Sequence, residues 1–201
     1  MVNVGRFIIL TIFLSALSAH GQDEITSTIE EAKKSYLHNE LFEAAKMLDR
    51  SLDLIHNKLL TQLESLFPKH LKGWSADSPS SRLKKDAYNI GLISKKKYYK
   101  NSGGPSVEIL METNSTRIAR IQAIFVNPSK IKQVNNNAKI SLIEDLRCIE
   151  IYDPIDKFSE LIFIPTSSLL ISIRGQEMKN TNIATKYAKK LDWNRICELF
   201  P

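Results

Sequence analysis

Leu66-Phe67-Pro68-Lys69-His70-Leu71-Lys72-Gly73-Trp74 separates two kinds of pattern in the chain. Pro68 lacks a backbone donor and pushes the residue before it out of the helical region, so a helix must stop near Phe67. Gly73 gives a flexible step and Trp74 a large apolar anchor, which makes Pro68, Gly73 and Trp74 the pins that fasten a linker to the downstream domain.

Upstream, Asp23 to Leu66 reads as two helices. Ile25, Ile29, Ala32 and Tyr36 form the stripe of the first, and His38-Asn39-Glu40 is the turn. The second stripe is Leu41, Ala44, Leu48, Leu52, Ile55, Leu59, Leu63 and Leu66, spaced three or four apart. Further upstream lies an address. Arg6 precedes an apolar run from Phe7 to Leu17, and small residues follow at Ser18, Ala19 and Gly21, the layout of a secretory signal peptide cut before Gln22 or, alternatively, after Ser18. The run is about eleven residues, short of the roughly twenty that a membrane span needs.

Downstream, residues 68–87 read as a polar linker, with Ser75, Asp77, Ser78, Pro79, Ser80 and Ser81 supplying turns. Tyr88–Tyr99 and Ser106–Glu112 read as a β-hairpin around Gly103-Gly104, with Val107, Ile109 and Met111 alternating. Ser115 caps a helix to about Phe125 that Asn127-Pro128 ends, and Lys130–Val134 reads as a short strand. Lys139–Ile143, Arg147–Tyr152, Leu161–Pro165 and Leu169–Arg174 come next as strands, the last ended by Gly175, and Thr181–Leu199 is a closing helix. Strands joined by turns rather than helices make the sheet antiparallel. The fold class is α+β: signal peptide 1–21, helical hairpin 22–67, linker 68–87 and an α+β sandwich domain 88–201 in which helices cover the sheet.

The chain has 201 residues and a net charge of +6, or +5 once Arg6 leaves with the leader. That excess is spread along the sequence. It suits loose contact with an anionic membrane surface and does not imply nucleic acid, which an exported protein rarely meets. Lys95-Lys96-Lys97-Tyr98-Tyr99-Lys100 is the one concentrated basic-aromatic run. It is either an interaction surface for an acidic partner, glycan or head group, or a lysine-rich edge strand that resists aggregation. Cys148 and Cys197 are candidates for a disulfide in an oxidising compartment, and otherwise two small buried hydrophobes.

Chemistry is missing from the motifs. There is no phosphate-cradling glycine loop, no G-x-S-x-G elbow, no metal-spaced Cys/His set, and no histidine after His70 to partner a cysteine. Asp153, Asp156 and Glu160 read as turn chemistry rather than an acid–base pair. The reading is a non-enzymatic protein without a cofactor.

Two resemblances add to this. Ala32, Ala44 and Ser51 stand at separations where a tetratricopeptide unit uses small residues, so the hairpin resembles one such repeat. The whole order resembles small exported proteins of Gram-negative bacteria that lack an assigned activity. The resemblance rests on Leu66-Phe67-Pro68 through Gly73-Trp74, Tyr98-Tyr99-Lys100, Val107-Glu108-Ile109, Leu170 to Gly175 and Leu191-Asp192-Trp193. The strand–helix order is also similar to the PsbP-like sandwich. The resemblance brings no activity with it; the reading is a periplasmic or secreted protein whose partner is another envelope protein, or alternatively a carrier of a small ligand or lipid between sheet and helices.

Overall fold

The computed structural model describes residues 24–86 and 89–201. The expected leader and its cleavage point lie outside the described residues, as does Tyr88 at the start of the expected hairpin. Two helices precede an antiparallel sheet with further helices, an α+β fold. The chain divides into two compact units inside the second helix, between Leu59 and Leu60.

Helix α1 (24–37) and helix α2 (Leu41–Ser65), of which the part up to Leu59 belongs to the first unit, are joined through Asn39, whose φ of 63° is left-handed. Asparagine tolerates that conformation better than most residues. The buried residues of the first unit are small: Thr28, Ala32, Ala44 and Ser51. Both hydroxyls are satisfied by the carbonyl four residues earlier, Thr28 on Glu24 and Ser51 on Met47. Small contact residues let two helices approach closely. They also leave the larger residues of the expected stripe outside, and Leu41, Leu48 and Leu52 are exposed.

The second unit is built on an eight-stranded sheet: β1 (Trp74–Ala76), β2 (Ser80–Asp86), β3 (Asn89–Lys100), β4 (Ser106–Thr113), β5 (Lys139–Ile143), β6 (Leu146–Asp153), β7 (Phe158–Phe163) and β8 (Leu169–Gln176). The order is β1-β3-β4-β8-β7-β6-β5, with β2 also paired to β3, and every pairing is antiparallel. Directly opposed residues share a face, so the register assigns every side chain. One face carries Leu92, Tyr98, Val107, Ile109, Met111, Cys148, Leu161, Phe163, Leu169, Ile171 and Ile173. Helices α4 (Asn182–Ala188) and α5 (Trp193–Leu199) pack there, with Tyr187 4.4 Å from Tyr98 and Trp193 4.9 Å from Phe163 between ring centroids. The other face buries Ile149, Ile151, Ile162 and Leu170 under Ile118, Ile121 and Ile124 of α3 (Arg117–Val126).

Several expectations need correction. Residues 74–76 and 80–86, read as linker, are strands whose hydrogen bonds are supplied by β3. Lys130–Val134 is not a strand: Pro128 fixes the φ of a 3₁₀ helix over Pro128–Gln133. Gly175 does not end β8 but lies within it, opposite Val107 and Ser159. A Cβ there would sit 2.5 Å from the Ser159 hydroxyl, which is why the position is glycine. The closing helix is two, because Asp192 starts α5 by accepting from the Arg195 amide at 3.1 Å.

Candidate functional site

The residues read as linker pins meet Tyr98 and Tyr187, partners that the sequence does not disclose. Pro68 is buried, and its carbonyl accepts from the Tyr98 hydroxyl at 2.8 Å. Gly73 takes φ +76°, and Trp74 meets Tyr187 edge-on at 5.9 Å. The Leu71 amide donates to the Tyr187 hydroxyl at 3.4 Å. Burial, followed by the charge of Tyr187, raises the Tyr98 pKa well above the ordinary phenol range.

Lys95, Lys96, Lys97, Tyr98 and Tyr99 lie on β3, which is not an edge strand: β4 flanks it on one side and β1 and β2 on the other. The edge-protection reading therefore fails here. Alternation splits the run. Lys96 shares its face with buried Tyr98, its ammonium 5.7 Å from that ring, while Lys97 lies 5.3 Å from the Tyr99 ring on the opposite face. The Tyr99 hydroxyl donates to Asp77, and that bond raises its pKa first of all. The open side of β3 joins a cleft of about 410 Å³ lined by Ser80, Arg82, Ile93, Lys95, Glu108, Leu110 and Glu112.

Beside that cleft stands a charged cluster that sequence reading missed. Glu160, taken for a turn residue, is in β7 with its side chain only 9% exposed. One of its oxygens accepts from the Ser172 hydroxyl at 2.6 Å and from Arg174 Nε at 2.9 Å, with Arg117 at 3.6 Å. Arg117 also reaches Glu112 at 3.3 Å. Two segments distant in sequence, β8 and the start of α3, thus compensate one buried carboxylate. Asp153 does behave as a turn residue, accepting from the Ile155 and Asp156 amides.

Both cysteines are free. Cys148 is buried in β6, where desolvation pushes its thiol up to about 12. Cys197 is half-buried, with its sulfur directed to the Pro165 carbonyl at 3.8 Å. The bridge considered from the sequence is not formed. Among the described residues, no group of three His, Cys, Asp or Glu side chains is placed to hold a metal ion, and no helix is long and apolar enough to cross a membrane.

A second cleft, of about 420 Å³, opens where the β3–β4 turn, the exit of β8 and the start of α4 converge. Trp74, Pro105, Met178 and Ile183 form its apolar wall; Lys100, Lys179 and Lys186 supply charge. The exposed apolar side chains of the first unit are the third feature: Leu41 at 58%, Leu48 at 51% and Leu52 at 46%, with Tyr36 and Phe42 also exposed.

No family model, no curated protein and no solved structure matches the chain.

Proposed function

We propose that this is an exported, non-enzymatic accessory protein of the bacterial envelope that binds another envelope protein through its helical hairpin. The observation that carries the reading is the stripe Leu41, Leu48 and Leu52, spaced seven and four residues apart on one side of α2 and left in solvent. A stripe at that spacing is the ordinary means by which a helix buries itself against a partner. Buried small residues at Ala32, Ala44 and Ser51 support the tetratricopeptide-like reading. A helical repeat unit buries its large apolar face only against a neighbour. In a lone unit that neighbour is another protein.

The alternative, a carrier, is favoured by one specific feature, the cleft beside Trp74. Native mass spectrometry of the exported protein separates the two readings. A bound mass lost on denaturation supports the carrier. A bare monomer that captures a discrete envelope protein, and ceases to do so with Leu41→Lys and Leu48→Lys, supports the interaction module. Capture unaffected by those substitutions contradicts it.

A further inference from the structure

The cleft beside Trp74 combines three properties that the hairpin does not use. It is sized for a small molecule: about 420 Å³ corresponds to roughly fourteen water volumes, enough for a ligand of about a dozen non-hydrogen atoms. Its charge is one-sided. Lys100 comes from the end of β3, and Lys179 and Lys186 from the stretch that runs from β8 into α4, so two parts of the chain far apart in sequence line one opening with lysines. Its one lining carboxylate, Glu177, is already engaged by Lys157 at 3.3 Å. Its wall is apolar and supported from behind, since Trp74 rests on Tyr187 and the Met178 amide is held by the Lys157 carbonyl at 2.7 Å. Asn180 and Asn182 add amide donors at the rim, and the Asn180 side chain is ordered by accepting from the Asn182 amide.

Compact ammonium charges favour an anion of high charge density, and phosphate is the usual partner of lysine used as a point charge. An apolar ring or chain attached to that head would lie along Trp74, Met178 and Ile183. We infer that this cleft binds a small phosphomonoester whose dianionic head meets Lys100, Lys179 and Lys186 and whose apolar moiety covers the Trp74 wall. The chemistry is common to a soluble phosphate ester and to the phosphomonoester head of an anionic lipid.

Trp74 reports on the cleft directly. Titration of the full exported chain in a Trp193→Phe background with phenyl phosphate should change tryptophan emission saturably. Inorganic phosphate and phenol, each lacking one half of the recognition, should bind at least about tenfold more weakly. Lys100→Gln with Lys186→Gln, both at exposed positions, should weaken phenyl phosphate about tenfold or more without altering the circular dichroism spectrum. Binding should also weaken as salt is added. Amide shift mapping on the unsubstituted chain gives a second readout, with changes confined to residues 74, 100 and 177–186. Vesicles with phosphatidate, set against neutral phosphatidylcholine vesicles, separate the sources. Co-sedimentation displaced by phenyl phosphate assigns a lipid head, and saturable binding of phenyl phosphate without co-sedimentation assigns a soluble ester. Absence of saturation up to about 10 mM, or equal affinity in the double lysine variant, overturns the inference.

Discussion

Tyr98→Phe isolates the contact that pins the linker to the sheet. The ring stays, so packing on Tyr187 is kept, and only the hydroxyl that donates to the Pro68 carbonyl at 2.8 Å is lost. Tyr98 has no solvent exposure and Pro68 is buried, so the carbonyl is left without a replacement donor. A buried acceptor stranded in this way costs about 2 kcal/mol. That corresponds to a melting decrease of about 5 °C in a unit of this size. Tyr99→Phe is the internal control: its hydroxyl serves exposed Asp77, and its removal should leave the midpoint in place. Urea titration followed by tryptophan emission is the suitable assay, because the chain's two tryptophans, Trp74 and Trp193, both lie in the unit from Leu60 to Pro201. The midpoint should fall with an unchanged slope. Equal midpoints for the two variants would refute the claim that the Tyr98 bond fastens the linker.

Gly175→Ala forces a Cβ against the Ser159 hydroxyl at 2.5 Å and Met178 Cγ at 2.6 Å, and should cost about 1–3 kcal/mol in the same titration. The folded thiol of Cys148 is raised from 9.0 to about 12, so its contribution is fully present below pH 9 and is lost between about 9 and 12. Tyr98 and Tyr187 are raised as well, so Cys148→Ala should shallow the alkaline loss of stability without abolishing it, as urea midpoints across that range will report. Burial raises the pKa of Glu150, but hydrogen bonds from Ser141, Thr181 and Lys139 outweigh it, and the net shift is downward from 4.5. Its stabilisation is present above that value and lost as pH falls through the folded one; Glu150→Gln should therefore destabilise at pH 7 and lose its penalty progressively as the pH falls below 4.5 through the folded value, measured by thermal melts.

What the sequence discloses depends on the strength of each local signal. Val107, Ile109 and Met111 alternate without interruption, and β4 lies where that alternation puts it. The turn at residues 38–40, the end of α3 at Asn127-Pro128 and the meander from Lys139 onward are legible for similar reasons. β2 is illegible because Arg82 and Lys84 stand exposed between half-buried Ser81 and Leu83, and nothing in that polar run reveals that β3 will pair with it. The same pairing removes β3 from the edge. Glu160 is hidden for a different reason: its partners Arg117, Ser172 and Arg174 belong to other segments, and only the register brings them together. The cleft beside Trp74 likewise draws its lysines from two distant parts of the chain, and only Lys100 lies in a conspicuous basic run.

The proposed partner binding rests above all on the exposed side of α2. A photo-activatable residue placed at Leu48 in the native cells tests it directly, with Lys46 on the polar side of the same helix as the control position. Lys46 is exposed and pairs with Glu43 at 3.5 Å, so the substitution leaves packing intact. The expected result is one discrete cross-linked protein from position 48, absent from position 46 and abolished by Leu41→Lys with Leu52→Lys. The same cross-links from both positions, or none from position 48, would contradict the proposed role of the hairpin.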